Sequence, residues 1–178
     1  MIRDMDVCVD KHCGGISSLI CRDDEYKMNW ISENGCLGEV SIENSKSVLK
    51  YGDVNVSEFE CKKVSAKVER KIQKNLISET YTFKNNTCDD VFIKRGELGI
   101  SIPLADNYAD AQTCMNYRCN AHIWCGKDTS YIYAVKMGVS DICFGLVLRS
   151  GAIDSYSTDG ETNNRGGFVL HPVPFDLR

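Results

Sequence analysis

The stretch that decides the fold reads Lys62-Lys-Val-Ser-Ala-Lys-Val-Glu-Arg-Lys-Ile72 and is followed by Ile77-Ser-Glu-Thr-Tyr-Thr-Phe83. Its first segment carries apolar residues four positions apart, as on a helix face: Val64, Val68 and Ile72. With Ala66 the same residues also fall on every second position, as in a strand. β-Branched valines favour the strand, and no convincing helix N-cap precedes the segment. We therefore predict two antiparallel strands here.

Short apolar runs separated by turn signals continue this pattern along the chain. Signals such as Gly14-Gly15, Glu33-Asn-Gly35 and Tyr51-Gly-Asp53 recur about every 8–12 residues, a spacing typical of sandwiches and barrels. No helices of crossover length alternate with the strands, which argues against a parallel α/β fold. We predict an all-β, two-layer antiparallel β-sandwich with at most one or two short helical turns, one of them near residues 110–117.

Length and composition indicate one globular domain. The chain has 178 residues, of which 43% are hydrophobic and 26% charged. We expect the sandwich to span residues 1–171, followed by an extended C-terminal exit segment over residues 172–178. The net charge of −4 predicts no general attraction to nucleic acid or anionic membrane. No apolar stretch approaches the ~20 residues of a membrane helix, and no signal-peptide core opens the sequence. We predict a cytoplasmic protein.

Ten cysteines are an unusual number for this length. In a short secreted protein they would indicate a disulfide framework, but a chain of this length can bury a core without such bridges. Several thiols also occupy apolar, strand-like positions, such as Cys143 in Ile142-Cys-Phe-Gly-Leu-Val-Leu148. We therefore predict a reducing compartment and mostly free, buried cysteines.

The densest cluster of possible metal ligands matches the ligand count of a structural zinc site: Cys114, Cys119, His122 and Cys125. The spacing lacks the paired C-x2-C knuckles that bring thiolates together. On a strand, His122 would also project from the face opposite Cys119 and Cys125. We favour core cysteines beside a polar histidine, with no metal and no other cofactor, and keep zinc as the alternative. A weaker cluster of Cys8, His12 and Cys13 is interpreted in the same way.

Carbohydrate binding requires aromatic faces that stack on sugar C–H surfaces and planar polar groups that bond hydroxyls. The candidates for these roles lie in the second half of the chain: Asp106, Asn107, Tyr108, Arg118, His122 and Trp124. The loop around Tyr108 is the best of them, because short polar-aromatic loops rarely serve packing. Trp30, beside Asn29, is a further aromatic, but a β core of this size normally buries one or two tryptophans.

Seven stretches carry a family resemblance: Gly14-Gly-Ile-Ser-Ser-Leu19, Met28-Asn-Trp30, Val68-Glu-Arg70, Glu79-Thr-Tyr-Thr-Phe-Lys-Asn85, Asp106-Asn-Tyr108, Arg118-Cys-Asn-Ala-His-Ile-Trp-Cys-Gly126 and Gly145-Leu-Val-Leu148. Together they resemble the N-terminal β-sandwich of bacterial glycoside hydrolases whose catalytic part is a six-hairpin (α/α)6 barrel. That sandwich belongs to the galactose-mutarotase-like supersandwich class. In such enzymes the catalytic carboxylates lie mainly in the barrel, and no segment of this chain is long enough to form one.

The resemblance implies a noncatalytic sandwich domain of a glycoside hydrolase that packs against a helical catalytic domain and contributes to sugar binding. Its implied partners are carbohydrate, that helical domain and, through an exposed sheet surface, a second copy of the chain. Two other functions stay open. An aldose-epimerase-like enzyme would use His122 as the acid, with Glu97 or Glu161 as candidates for the base. A free-standing carbohydrate-binding or oligomerising module would need no catalytic pair.

Overall fold

The computed structural model describes residues 4–24, 27, 29–43, 45–103, 132–136, 143–147, 153–158, 168–172 and 174–178. All regular structure in these residues is β, in agreement with the predicted fold class. The strands are β1 (Met5–Val9), β2 (Ile16–Cys21), β3 (Val40–Ile42), β4 (Ser45–Lys46), β5 (Val48–Gly52), β6 (Val56–Cys61), β7 (Val64–Gln73), β8 (Leu76–Asn85), β9 (Val91–Ile93), β10 (Leu98–Ile102), β11 (Ile132–Lys136), β12 (Cys143–Val147), β13 (Ile153–Thr158), β14 (Phe168–Pro172) and β15 (Phe175–Leu177).

Two larger antiparallel sheets form the layers of the sandwich. One has four strands in the order β5-β6-β7-β8, and the other has five in the order β13-β14-β10-β3-β4. Their facing side chains share one apolar interior, in which Val64 of β7 belongs to the same cluster as Leu98 and Ile100 of β10. Val40 of β3 packs with Phe59 of β6 in a second cluster. Burial of these apolar surfaces is the main force that holds the layers together.

The hairpin of β7 and β8 confirms the prediction for the deciding stretch. The two strands pair without a register shift from Val64↔Asn85 to Gln73↔Leu76. They are joined by the two residues Lys74 and Asn75, and Lys74 has a positive φ of 34°. In β7 the residues at even positions from 64 to 70 are buried, so the two-residue periodicity predicted from the sequence is the one that the core uses.

The C-terminal residues fold back onto the sandwich. Strand β15 pairs with β9, and the ring of Phe175 lies 5.8 Å from that of Phe83. The side-chain amide of Asn85 donates to the carbonyl of Leu177 at 3.1 Å, across a separation of 92 residues. The segment predicted to be an extended exit therefore supplies a strand that packs against the core. The boundary between residues 171 and 172 stays a prediction.

One disulfide is an exception to the prediction of mostly free cysteines. Cys13 and Cys36 are bonded, with their Cα atoms 6.4 Å apart. Cys13 ends the turn after β1, and Cys36 lies beside Leu37, whose backbone pairs with Ile16. This backbone pairing brings the two thiols together, which spacing along the chain does not show. Among the cysteines that the structure describes, four others are free: Cys21 and Cys61 are buried, as predicted, whereas Cys8 and Cys88 are exposed.

No helix in the described ranges is long and apolar enough to span a membrane.

Removing the disulfide tests its contribution to stability. The bridge joins residues separated by 23 positions. Closing a loop of this length in the unfolded chain is expected to contribute about 3 kcal/mol to the free energy of unfolding. We expect the variant with both Cys13→Ser and Cys36→Ser to lose about that much in urea unfolding followed by circular dichroism. Cys8→Ser, at an exposed free thiol, is the control and should leave stability unchanged. Equal stability of the double variant and the unsubstituted chain would contradict the prediction.

Candidate functional site

The sequence-predicted binding residues fall outside the described part of the chain. All of them lie between residues 104 and 131: Asp106, Asn107, Tyr108, Cys114, Arg118, Cys119, His122, Trp124 and Cys125. The same holds for Glu161 and for the helical turn near residues 110–117. The sugar site, the alternative zinc site and the alternative acid His122 therefore stay predictions. Among the residues that are described, no group of three or more histidine, cysteine or acidic side chains is placed to hold a metal ion.

Trp30 packs in the hydrophobic core, and Asn29 bonds the backbone next to it. Trp30 is only 3% exposed and belongs to the main hydrophobic cluster. The Oδ1 atom of Asn29 accepts the backbone N–H groups of Leu19 at 2.9 Å and Ile31 at 3.1 Å. A buried ring beside a side chain engaged with the backbone offers no stacking face to a sugar. The interpretation of Trp30 as a core tryptophan is confirmed.

The weaker cluster of Cys8, His12 and Cys13 does not supply a pair of free thiols. Cys13 is bonded to Cys36 and so presents no thiolate, while Cys8 is exposed. Asp10 organises this turn by accepting the backbone N–H groups of His12 at 2.6 Å and Cys13 at 3.0 Å. These two bonds favour the charged carboxylate and lower the pKa of Asp10.

The side chain of Glu97, a candidate base for the epimerase alternative, bonds the backbone of its own turn. Its Oε2 atom accepts the backbone N–H of Lys94 at 2.7 Å. Its carboxyl group also lies beside Glu43, which pairs with Lys62 at the surface. The hydrogen bond and the positive charge of Lys62 lower the pKa of Glu43. This arrangement fixes a loop and gives no support to Glu97 as a catalytic base.

The most strongly organised polar group in the described residues is built around Arg70, which is 3% exposed. We name it the Arg70 cluster, and its members are Arg70, Glu79, Tyr81, Ser57 and the carbonyl of Gly14. Arg70 lies at an inward-facing position of β7, directly opposite Glu79 of β8. A buried guanidinium is costly unless its donors find acceptors, so every bond it makes matters for stability.

Each nitrogen of the Arg70 guanidinium donates to a partner in the cluster. Nε bonds Oε1 of Glu79 at 2.6 Å, Nη1 bonds the hydroxyl of Ser57 at 2.7 Å, and Nη2 bonds the carbonyl of Gly14 at 2.9 Å. The Ser57 hydroxyl, on a residue that is 0% exposed, donates in turn to the Gly14 carbonyl at 2.6 Å. The cluster thus ties three strands of one sheet to the turn between β1 and β2.

Tyr81 completes the cluster from the other side of Glu79. Its hydroxyl donates to Oε2 of Glu79 at 2.6 Å, so both oxygens of this carboxylate are engaged. Burial, together with the adjacent Glu79 charge, raises the pKa of Tyr81 well above its usual value near 10. The phenol therefore stays protonated at neutral pH and is a poor general base.

Two glycines make room for this arrangement. Gly14 has φ +66°, and a Cβ atom there would collide with Leu49 Cδ1. Gly38 has φ +85°, and a Cβ atom there would lie 2.8 Å from the hydroxyl oxygen of Tyr81. Both positions need the left-handed backbone that glycine adopts without strain. Close backbone approach is therefore part of how the Arg70 cluster is enclosed.

A second polar feature lies on the opposite, outward face of the same sheet. Tyr51 of the edge strand β5 is 53% exposed, and its hydroxyl donates to Oδ2 of Asp53 at 2.8 Å. Asp53 Oδ1 accepts the backbone N–H groups of Asn55 and Val56 at 2.7 Å each. The bonds from Tyr51 and these N–H groups lower the pKa of Asp53, and the carboxylate raises the pKa of Tyr51. This aromatic is open to solvent, unlike Tyr81.

Comparisons with known proteins support the fold. No protein-family model matches the chain, and no curated protein matches it. Among solved structures, it is similar to a polysaccharide lyase with a TM-score of 0.74 and 21% sequence identity. The similarity covers 100% of this chain and 30% of the lyase chain. Identity at this level shows a shared fold, and the chain spans less than a third of the length of that enzyme.

Breaking the Arg70–Glu79 pair tests the structural role of the cluster. Arg70→Met leaves Glu79, whose side chain is 12% exposed, without its cation. We expect a loss of about 3–5 kcal/mol in the free energy of unfolding, because an uncompensated buried charge remains. Arg70→Met combined with Glu79→Met removes both charges and should recover part of the loss. Lys67→Met, in the exposed pair with Glu69, is the control and should cost less than about 1 kcal/mol. Chemical denaturation measures all three, and a small effect of Arg70→Met alone would contradict the role.

The raised pKa of Tyr81 predicts a pH dependence of stability. The folded state keeps the phenolic proton to a higher pH than the unfolded chain, whose tyrosines lose theirs near pH 10. Stability is therefore expected to fall as the pH rises above about 10. Tyr81→Phe should lower stability at pH 7, through the lost bond to Glu79, and should weaken this alkaline decline. Urea unfolding between pH 7 and about 11.5 measures both effects. Parallel declines in the variant and the unsubstituted chain would show that Tyr81 is not responsible.

Proposed function

We propose that this chain is a noncatalytic β-sandwich module of a larger polysaccharide-degrading enzyme. The observation that carries the proposal is the match of the whole chain, with a TM-score of 0.74, to 30% of a polysaccharide lyase chain. A module of this relative size leaves the greater part of such an enzyme to other domains. In this proposal the module packs against the catalytic domain and contributes a surface that binds the glycan.

The chemistry of the Arg70 cluster supports a noncatalytic role. A catalytic acid or base must reach its substrate and must have a pKa suited to proton transfer. Both oxygens of Glu79 are engaged, and the three Arg70 nitrogens bond acceptors of the chain itself. The phenol of Tyr81 is held protonated by burial. The cluster stabilises the sandwich and offers no free group for cleavage of a glycosidic bond.

The proposed parent is a carbohydrate-active enzyme, and the proposal does not choose between a hydrolase and a lyase. The sequence resemblance suggests a glycoside hydrolase, and the fold similarity is to a polysaccharide lyase. Both cleave glycosidic bonds, and a sandwich beside a separate catalytic domain suits either reaction. The glycoside hydrolase parent, the supersandwich class and the helical partner domain stay predictions. The cytoplasmic location also stays a prediction. The Cys13–Cys36 bridge does not favour it, because disulfides are more typical of oxidising compartments.

The isolated chain tests the proposal directly. We expect the purified 178-residue protein to release no reducing ends and no unsaturated, ultraviolet-absorbing products from a panel of neutral and acidic polysaccharides. We also expect at least one of these polysaccharides to retard it in affinity gel electrophoresis, because the module is proposed to bind glycan. A commercial hydrolase and a commercial lyase provide positive controls for cleavage. Turnover by the pure chain would contradict the noncatalytic assignment, and the lack of any retardation would contradict the binding role.

A further inference from the structure

The outward face of the four-stranded sheet carries one aromatic side chain that a local irregularity has turned toward solvent. The ladder between β5 and β6 shifts register between Leu49 and Tyr51, so that Tyr51 pairs with the exposed Glu58. Without that β-bulge, strict alternation from the inward Leu49 would also point Tyr51 inward. The ring is instead 53% exposed, with the exposed side chains of Val48 and Val54 nearby on the chain.

Tyr51 is held in place without being covered. Its hydroxyl bonds Asp53, and Asp53 is itself fixed by two backbone N–H groups of the following turn. An exposed ring that is already oriented loses less conformational entropy when a ligand stacks on it than a freely rotating one. Because the hydroxyl is engaged at the edge of the ring, the aromatic face is the part that is open for contact.

The pairing register places a row of polar side chains next to this ring. From Tyr51 the row crosses the sheet through Glu58 of β6 and Lys67 of β7 to Thr82 of β8. With strands about 4.8 Å apart, the row is about 14 Å long. Exposed side chains on either side add carboxylates, ammonium groups and hydroxyls: Glu60, Lys84, Glu69 and Thr80.

The charges on this face largely neutralise one another. Lys50 pairs with Glu60 at 2.7 Å, and Lys67 pairs with Glu69 at 3.1 Å. A face of paired charges gives no net attraction to a strongly anionic or cationic ligand. It presents many donors and acceptors to an uncharged ligand that is rich in hydroxyl groups. The edge of β5 is also poorly suited to strand addition by another protein chain, since it carries a bulge and a lysine.

We propose that the row from Tyr51 to Thr82 is a binding site for a neutral oligosaccharide chain. In this site a sugar ring stacks its C–H face on Tyr51, and the side chains of Glu58, Lys67 and Thr82 bond hydroxyl groups of the following sugars. The inference rests on the proposed function, whose glycan-binding surface it locates. The site uses none of the predicted residues 106–124, and it lies on the solvent face of the hairpin that decides the fold.

Affinity electrophoresis and calorimetry with neutral polysaccharides test the site; suitable probes are hydroxyethyl cellulose, galactomannan and soluble starch. We expect the unsubstituted chain to bind at least one of them, and binding to survive high salt. Tyr51→Ala should weaken that binding about tenfold or more, because the stacking face is lost. Tyr51→Phe keeps the ring and loses the bond to Asp53, so its loss should be smaller.

Phe92→Ala is the matched control. Phe92 is also 53% exposed, but it lies on β9, which pairs with β15 outside the four-stranded sheet. We expect its binding to equal that of the unsubstituted chain, and equal thermal midpoints for all variants would exclude misfolding as the cause of a loss.

Each contrary result has a defined meaning. Binding that is unchanged in Tyr51→Ala would overturn this site and leave the proposed function standing. If none of the neutral probes binds and an acidic polysaccharide does, the proposed specificity for neutral glycans is wrong and the proposed site is overturned. If no polysaccharide of either kind binds, both the proposed site and the glycan-binding part of the proposed function are overturned. Self-association that Tyr51→Ala abolishes, without glycan binding, would identify this face as an interface between copies of the chain.

Discussion

A buried guanidinium with every nitrogen bonded is the constraint on which this sandwich depends. Arg70 lies where the alternation of β7 requires a core side chain, so its charge has to be compensated inside the protein. The compensation recruits Glu79 across the hairpin, Ser57 from the neighbouring strand and a carbonyl from the turn after β1. These acceptors come from distant parts of the sequence. They can meet only if the strand register and the position of the turn are both correct.

The two faces of the four-stranded sheet have different roles. Inward-facing residues of β7 and β8 make up the core and enclose the Arg70 cluster, while most outward-facing residues are charged or hydroxyl-bearing, with Gln73 and Leu76 as the exceptions next to the turn. The same hairpin can therefore stabilise the fold and present a hydrophilic surface, since alternate residues of a strand point to opposite sides. A module that binds glycan on one face of a sheet needs this division, because stacking and hydroxyl contacts require solvent access and stability requires a dry interior.

Much of the fold was predictable from the two-residue periodicity of apolar residues, and the hairpin of β7 and β8 shows why. Its periodicity and length place Arg70 and Glu79 on inward positions of neighbouring strands, and a two-residue connection makes them direct partners. The sequence did not predict this pair as a site, because an arginine and a glutamate on neighbouring strands form no recognised catalytic or metal-binding motif. The predicted sugar and metal residues lie in residues 104–131, which the structure does not describe.

Other features had no sequence signal. The bond between Cys13 and Cys36 depends on backbone pairing of Ile16 with Leu37, a tertiary contact. The outward position of Tyr51 depends on a single shift of register, and alternation counted along the sequence predicts the opposite face. Both cases arise from backbone geometry that composition does not record. The structure adds most where regular alternation is interrupted.

The closing contact between Asn85 and Leu177 carries a consequence for biosynthesis. Among the described strands, β9 pairs with β15 alone, and the side-chain amide of Asn85 donates to a carbonyl 92 residues further on. During translation the ribosome must pass Leu177 before these groups can pair, so β9 stays without this partner until then. Contacts of such long range slow folding and prolong exposure to chaperones and to aggregation.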